Sequence, residues 1–149
     1  MKRLVCVGVL LFTLFSVISC APSRSATELL CAFVDAYGAE GVIYSPTIPE
    51  GNDGYIDRAL FDRIYLTRGE LPEDFAVLLN SHTDSRAECA VFICRDGAEL
   101  ERVYSMCEER LRLLAVPESS FIIRCGSILF YSTLPEPERA RRVWHRVIS

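Results

Sequence analysis

The chain has 149 residues, half of them apolar, with 16 Lys or Arg against 20 Asp or Glu and a net charge of −4. That length holds one domain of ordinary size with its own core. The acidic balance argues against a nucleic-acid partner, which needs a basic footprint. Lys2 is the sole lysine, so every other basic side chain is an arginine, as codon bias in a GC-rich genome would produce.

Met1-Lys2-Arg3 is a positive n-region that keeps the amino end cytoplasmic while the following chain is exported. Leu4 to Ile18 is uncharged, and it is too short for a membrane span of roughly 20 apolar residues. Val17-Ile18-Ser19-Cys20 resembles the bacterial lipobox, with an aliphatic residue at −3, a small residue at −1 and the obligatory Cys at +1. The resemblance implies that residues 1–19 are a signal peptide and that Cys20 becomes the diacylglyceryl-bearing N-terminus. Two buried acyl chains at ~0.8 kcal/mol per CH₂ hold a protein to a bilayer with on the order of 20 kcal/mol. The expected location is therefore the extracytoplasmic face of the cell membrane, with the lipid on Cys20 as the membrane contact. Removing residues 1–19 takes away Lys2 and Arg3 and no acid, so 14 basic and 20 acidic side chains remain, a net of −6. Residues 20–25 form the lipid-bearing Cys and a short tether, which would hold a single domain, 26–149, close to the headgroups.

Ser25-Ala26-Thr27-Glu28 has capping-box spacing and opens a helix. Its apolar stripe is Ala26, Leu29, Leu30, Phe33, Val34 and Tyr37, and Gly38 is its stop. Residues 39–54 are rich in Gly and Pro and read as loop. Tyr55 to Tyr65 reads as a second helix with Ile56, Ala59, Leu60 and Ile64 inward. After an acidic turn at 67–74, Phe75 to Asn80 and Ala87 to Cys94 read as strands about a polar turn at 81–86. Asp96-Gly97-Ala98-Glu99 opens the longest helix with a second capping box, and its stripe is Leu100, Val103, Tyr104, Cys107, Leu111 and Leu114. Phe121-Ile122-Ile123 and Ile128 to Ser132 are strands about a hairpin at Arg124-Cys125-Gly126-Ser127. Thr133-Leu134-Pro135-Glu136 opens a last helix with Ala140, Val143, Trp144, Val147 and Ile148 inward. The order α-α-β-β-α-β-β-α predicts an α+β fold, a mixed or antiparallel four-stranded sheet packed with helices. Ala90 to Ile93 and Ile128 to Tyr131 are apolar at every position, so those strands are buried on both faces. Either helices cover both sides of the sheet or one side awaits a partner.

Five of the seven cysteines, Cys31, Cys89, Cys94, Cys107 and Cys125, lie beyond the signal and the lipid site. Outside the cytosol cysteines usually pair, and an odd number leaves at least one over. Cys89 and Cys94 are five apart and fall on opposite strand faces, so they are a poor pair. Core packing and one structural disulfide both remain open.

The run from Phe75 to Ser132 resembles, in order and hydropathy, a family of short Gram-positive lipoproteins known only as a domain of unknown function. It includes Ala87-Glu88-Cys89-Ala90-Val91-Phe92-Ile93-Cys94-Arg95-Asp96, the charged helix Ala98–Leu114 and the hairpin around Gly126. The helix ending Asp35-Ala36-Tyr37-Gly38 and the lipobox extend the likeness. The resemblance implies a surface lipoprotein and supplies no catalytic residue. The scarcity of lysine and the Arg-rich final helix depart from that pattern.

His82 and Asp84, between Ser81 and Ser85, have the residue types of a hydrolytic set, but a polar hairpin turn explains them more simply. His145 reads as a surface or half-buried histidine beside Trp144. No cysteine pair has zinc spacing. Glu50-Gly51-Asn52-Asp53-Gly54 with Asp57 fails the calcium-loop pattern, and Asn52 or Asp53 is better placed to cap the next helix. No catalytic, cofactor or metal residue is therefore assigned. Arg139, Arg142 and Arg146 share one face of the last helix beside Arg141. They fit a solvated helix end or a contact with anionic headgroups or wall polymer. The reading is a non-enzymatic, lipid-anchored domain binding another envelope protein or polymer. The alternatives are a small hydrolase centred on the His82 turn and an accessory ligand-binding lipoprotein of a transporter.

Overall fold

Alternate residues of the central strands bury against different helices, and this determines the architecture. The computed structural model describes residues 24–66, 71–80 and 86–149. The elements are α1 (Ala26–Tyr37), β1 (Val42–Tyr44), α2 (Arg58–Tyr65), β2 (Asp74–Leu79), β3 (Glu88–Ile93), α3 (Gly97–Leu114), β4 (Phe121–Cys125), β5 (Ile128–Ser132) and α4 (Pro137–Ile148). The five strands form one sheet in the order β1-β2-β3-β5-β4, and every neighbouring pair is antiparallel.

Ala76, Leu78, Cys89, Val91 and Phe130 face α1 and α4, where they meet Leu30, Phe33, Val143 and Trp144. Phe75, Val77, Ala90, Phe92, Leu129 and Tyr131 face α2 and α3, where they meet Phe61, Ile64, Val103 and Cys107. Helices thus cover both faces of the sheet. Each fully buried large side chain contributes roughly 1.5–3 kcal/mol. Trp144 stacks on Phe130 at 4.2 Å between ring centroids, and Phe33 closes on Phe130 edge-on at 4.8 Å.

The α+β class holds, but the sheet has five strands, not four. Val42-Ile43-Tyr44 pairs with Leu79, Leu78 and Val77 inside the stretch expected to be loop. A run of three residues gives no measurable alternation, so only the pairing partner reveals the strand. Residues 45–57 then fold back along β1. Ser45 N–H donates to Gly54 O at 2.9 Å, and Gly54 has φ 89°, with no space for a Cβ beside the Ile43 carbonyl.

Two helix starts also differ from expectation. α2 begins at Arg58, capped by the Asp57 carboxylate, which accepts from Leu60 N–H at 2.7 Å. Asn52 and Asp53 are exposed in the preceding turn and are not the cap. The later start leaves Ala59 exposed and turns Phe61, Ile64 and Tyr65 inward. Ile56, one residue before the cap, buries in the same cluster as Phe61, a hydrophobic staple. α4 begins at Pro137, not at Thr133. Thr133 instead extends the β3–β5 ladder, donating its N–H to Glu88 O at 2.8 Å and accepting Glu88 N–H on its hydroxyl at 2.9 Å.

Candidate functional site

The inward stripe of α3 is apolar in the middle and charged at both ends. Val103 and Cys107 are buried between Glu99 and Arg110. Glu99 lies in the first turn, where Asp96 caps its N–H at 2.8 Å. Its carboxylate reaches past the cap to Arg95 N–H at 2.7 Å and takes the guanidinium groups of Arg95, at 3.1 and 3.2 Å, and Arg102, at 3.3 Å. The second capping box is therefore only half formed: Asp96 caps Glu99, while Glu99 binds the residue before the cap. Burial acts to raise the Glu99 carboxyl, but the Arg95 bonds and the charges of Arg95 and Arg102 outweigh it, and the net shift is downward.

At the other end, Arg110 Nε and Nη2 grip Glu88 of β3 at 2.8 and 2.6 Å. Arg110 Nη1 donates to the Ile64 carbonyl at 3.0 Å, in the last turn of α2. Tyr131 of β5 donates its hydroxyl to Glu88 Oε1 at 2.7 Å, and the Tyr65 hydroxyl lies 2.9 Å from that of Tyr131. Since Tyr131 spends its proton on the carboxylate, Tyr65 is the donor between the two phenols. Desolvation first, and the Glu88 charge with it, pushes both phenols well above their ordinary range. Arg110 is held charged more firmly than usual, because the bonds and charge of Glu88 overcome its own burial. With three donors on one shielded carboxylate, the cluster is a clamp tying α2, α3, β3 and β5 together.

Sequence reasoning did not single out this clamp. Glu88 opens an apolar strand and Arg110 lies 22 residues on. The available signal was phase: Arg110 follows Val103 by seven residues and Cys107 by three, the inward side of α3.

Arg139, Arg142 and Arg146 are all exposed on α4, but they are not equivalent. Arg139 lies 4.6 Å from the centre of the Tyr37 ring and donates to Tyr37 O at 2.8 Å, with Glu136 at 3.5 Å. Arg141 covers the Phe121 ring at 4.1 Å. Arg142 and Arg146 make no hydrogen bond or ion pair with another described residue. Arg24, the first described residue, donates to Val147 O at 3.1 Å and to Glu28 O at 3.3 Å, so it sits at the same end of α4. His145 is exposed.

All five cysteines of the described domain are free, with Cys89, Cys94 and Cys107 buried. Cys89 packs on the α1/α4 side, and Cys94 and Cys107 on the α2/α3 side. Burial pushes the Cys94 thiol up to about 11 and raises Cys89 and Cys107 as well. Such thiols are protonated at neutral pH and are weak nucleophiles.

Cys20 lies outside the described residues, as do Ser81, His82, Asp84 and Ser85. Among the described residues no group of three or more His, Cys, Asp or Glu is placed to hold a metal ion, and no helix is long and apolar enough to cross a membrane. An open cleft of about 510 Å³ is lined by Leu111, Arg112, Ala115, Pro117 and Ser120. Its polar groups are already engaged: Arg112 pairs with Glu109, and Ser120 donates to Val116 O at 2.6 Å. Comparison with protein-family models, curated proteins and solved structures finds no match.

Proposed function

We propose that the protein is a lipid-anchored extracytoplasmic lipoprotein whose domain binds another component of the bacterial envelope without catalysis. The observation that carries this reading is the N-terminal sequence: a basic n-region, an uncharged apolar h-region and Val17-Ile18-Ser19-Cys20 in register. The resemblance to short Gram-positive lipoproteins of unknown function agrees with it. The described domain adds support of two kinds. Its buried carboxylates, Glu88 and Glu99, are committed to arginines, and its buried thiols are protonated. The cleft beside the end of α3 has its side-chain polar groups already engaged within the chain.

Mass spectrometry of the protein from the membrane fraction tests the anchor. The expected N-terminal peptide begins at Cys20 and carries the mass of a diacylglyceryl group. An unmodified Cys20 in the mature chain would refute the reading. Crosslinking on intact membranes tests the binding role, with one reproducible envelope partner as the expected result.

A further inference from the structure

The α1/α4 layer carries its charge unevenly. α1 and α4 run antiparallel, since Arg24 bonds Val147 at one end and Arg139 bonds Tyr37 at the other. Toward the first end are Arg24, Arg146 and one acid of the two helices, Glu28, with Arg142 at the middle of α4. Glu28 is engaged in the α1 capping box, accepting from Ser25 N–H at 2.7 Å. At the second end Asp35, Glu40, Glu136 and Glu138 outnumber Arg139 and Arg141. The sheet adds Asp74 and Glu73 near the first end. Asp74 accepts from Ala26 N–H at 3.1 Å, and Glu73 lies 3.8 Å from Arg95. Arg142 and Arg146 are exposed and bond to no other described residue, while Glu28 and Asp74 accept backbone hydrogen bonds and Glu73, though exposed, faces Arg95.

Chain length sets where this end must lie. Three residues separate Cys20 from Arg24, four steps with a reach of at most about 14 Å, and the Arg24–Val147 bond fixes Arg24 against the last turn of α4. Arg142 and Arg146 are one helical turn apart, about 6 Å along the axis. A lipid on Cys20 therefore holds both within a few Debye lengths of the headgroups, close enough for a rotation of the tethered domain to bring them into contact.

We propose that this end of the α1/α4 layer docks on an anionic lipid surface through Arg142 and Arg146, beside Arg24. The inference rests on the anchor reading above. The docked domain stands with the acidic end of the layer turned away. Arg139 is not part of the surface, because Tyr37 and Glu136 already hold it.

Arginine footprinting with a dicarbonyl reagent and mass spectrometry tests it on the full mature chain, reconstituted in vesicles of phosphatidylglycerol with phosphatidylcholine or of phosphatidylcholine alone. Arg142 and Arg146 should react about fivefold more slowly on the anionic vesicles, the weight of one arginine at such a surface. Arg63, exposed on α2, should react equally on both. The R142E/R146E variant should lose the protection of Arg24 while Cys20 keeps its lipid mass. Equal rates on the two vesicle types in a lipidated chain overturn the docking and leave the anchor standing. Protection on isolated anionic wall polymer but not on vesicles also overturns it. If Cys20 proves unlipidated, flotation with anionic vesicles alone, lost in R142E/R146E, still supports the surface, and no flotation refutes both.

Discussion

Glu88 and Arg110 illustrate how a buried ion pair can be essential and yet contribute little net stability. Removing two charges from water costs several kcal/mol each, and the pair recovers this only through good geometry and extra bonds. Here the grip is bidentate and Tyr131 supplies a third donor. Arg110→Met should therefore destabilise the domain by about 3–5 kcal/mol, because a buried carboxylate loses its cation. Glu88→Leu with Arg110→Met should cost clearly less than the sum of the two single changes. Urea unfolding of the three variants checks this, and simple additivity would show that the pair is not coupled. Ala115, the α3 C-cap, is held at φ 52°. A left-handed non-glycine residue costs roughly 1–2 kcal/mol, partly offset by the greater freedom glycine gives the unfolded chain. Ala115→Gly should raise stability by about 0.5–1 kcal/mol in the same assay.

At the scale of elements, the local signals that proved reliable were those a helix needs at its own ends. Ser25 and Glu28 form the full capping box, and Gly38 closes α1 at φ 78°. Both rest on contacts within four residues, so they are legible without the rest of the chain. β1 is different. It exists because β2 pairs with it, and residues 45–57 return beside it, a close approach that Gly54 makes possible. Gly54→Ala should cost at least about 2 kcal/mol, from strain at positive φ and a clash with the Ile43 carbonyl. It should also speed hydrogen exchange in β1 while leaving the β3–β5 ladder protected. Unchanged exchange in β1 would mean that the returning segment does not hold the edge. The α2 phase was misread for a related reason: Ile56 looks helical by spacing but is the staple before the cap. The arginine face of α4 was legible as a periodicity. That Tyr37 removes Arg139 from it, and that Arg24 joins it, depends on residues more than 100 positions away. The Glu88–Arg110 clamp was hidden because both charges sit at the ends of apolar stripes, where solvent exposure is the ordinary expectation.

The whole molecule buries a sheet on both faces, and the same burial sets how its stability responds to pH. On the acid side two carboxyls act in opposite directions. Glu99 has a lowered value in the folded state, so its contribution is present above the unfolded value, near 4.5, and is lost as pH falls through the lower folded one. Asp74 is raised by desolvation, partly offset by its bond to Ala26. Its protonation therefore favours the fold as pH falls, and blunts the loss from Glu99. Among the described residues the alkaline side has no such compensation. An unfolded thiol releases its proton near pH 9.0, whereas folded Cys89, Cys94 and Cys107 hold theirs longer, Cys94 to about 11. Above pH 9 the unfolded state binds fewer protons, so stability falls as pH rises, by up to about 1.4 kcal/mol per pH unit for each buried thiol. Tyr65 and Tyr131 add to the slope above pH 10. Trp144 is the sole tryptophan and is fully buried, so its fluorescence reports unfolding in urea at pH 8, 9, 10 and 10.5. Cys107→Ala should be less stable at pH 8, because a small cavity opens. Its decline above pH 9 should be shallower than that of the parent by about one thiol's share. Parallel declines in the two proteins would show that the Cys107 thiol ionises in the folded chain as readily as in the unfolded one, and is not sealed between α3 and the sheet.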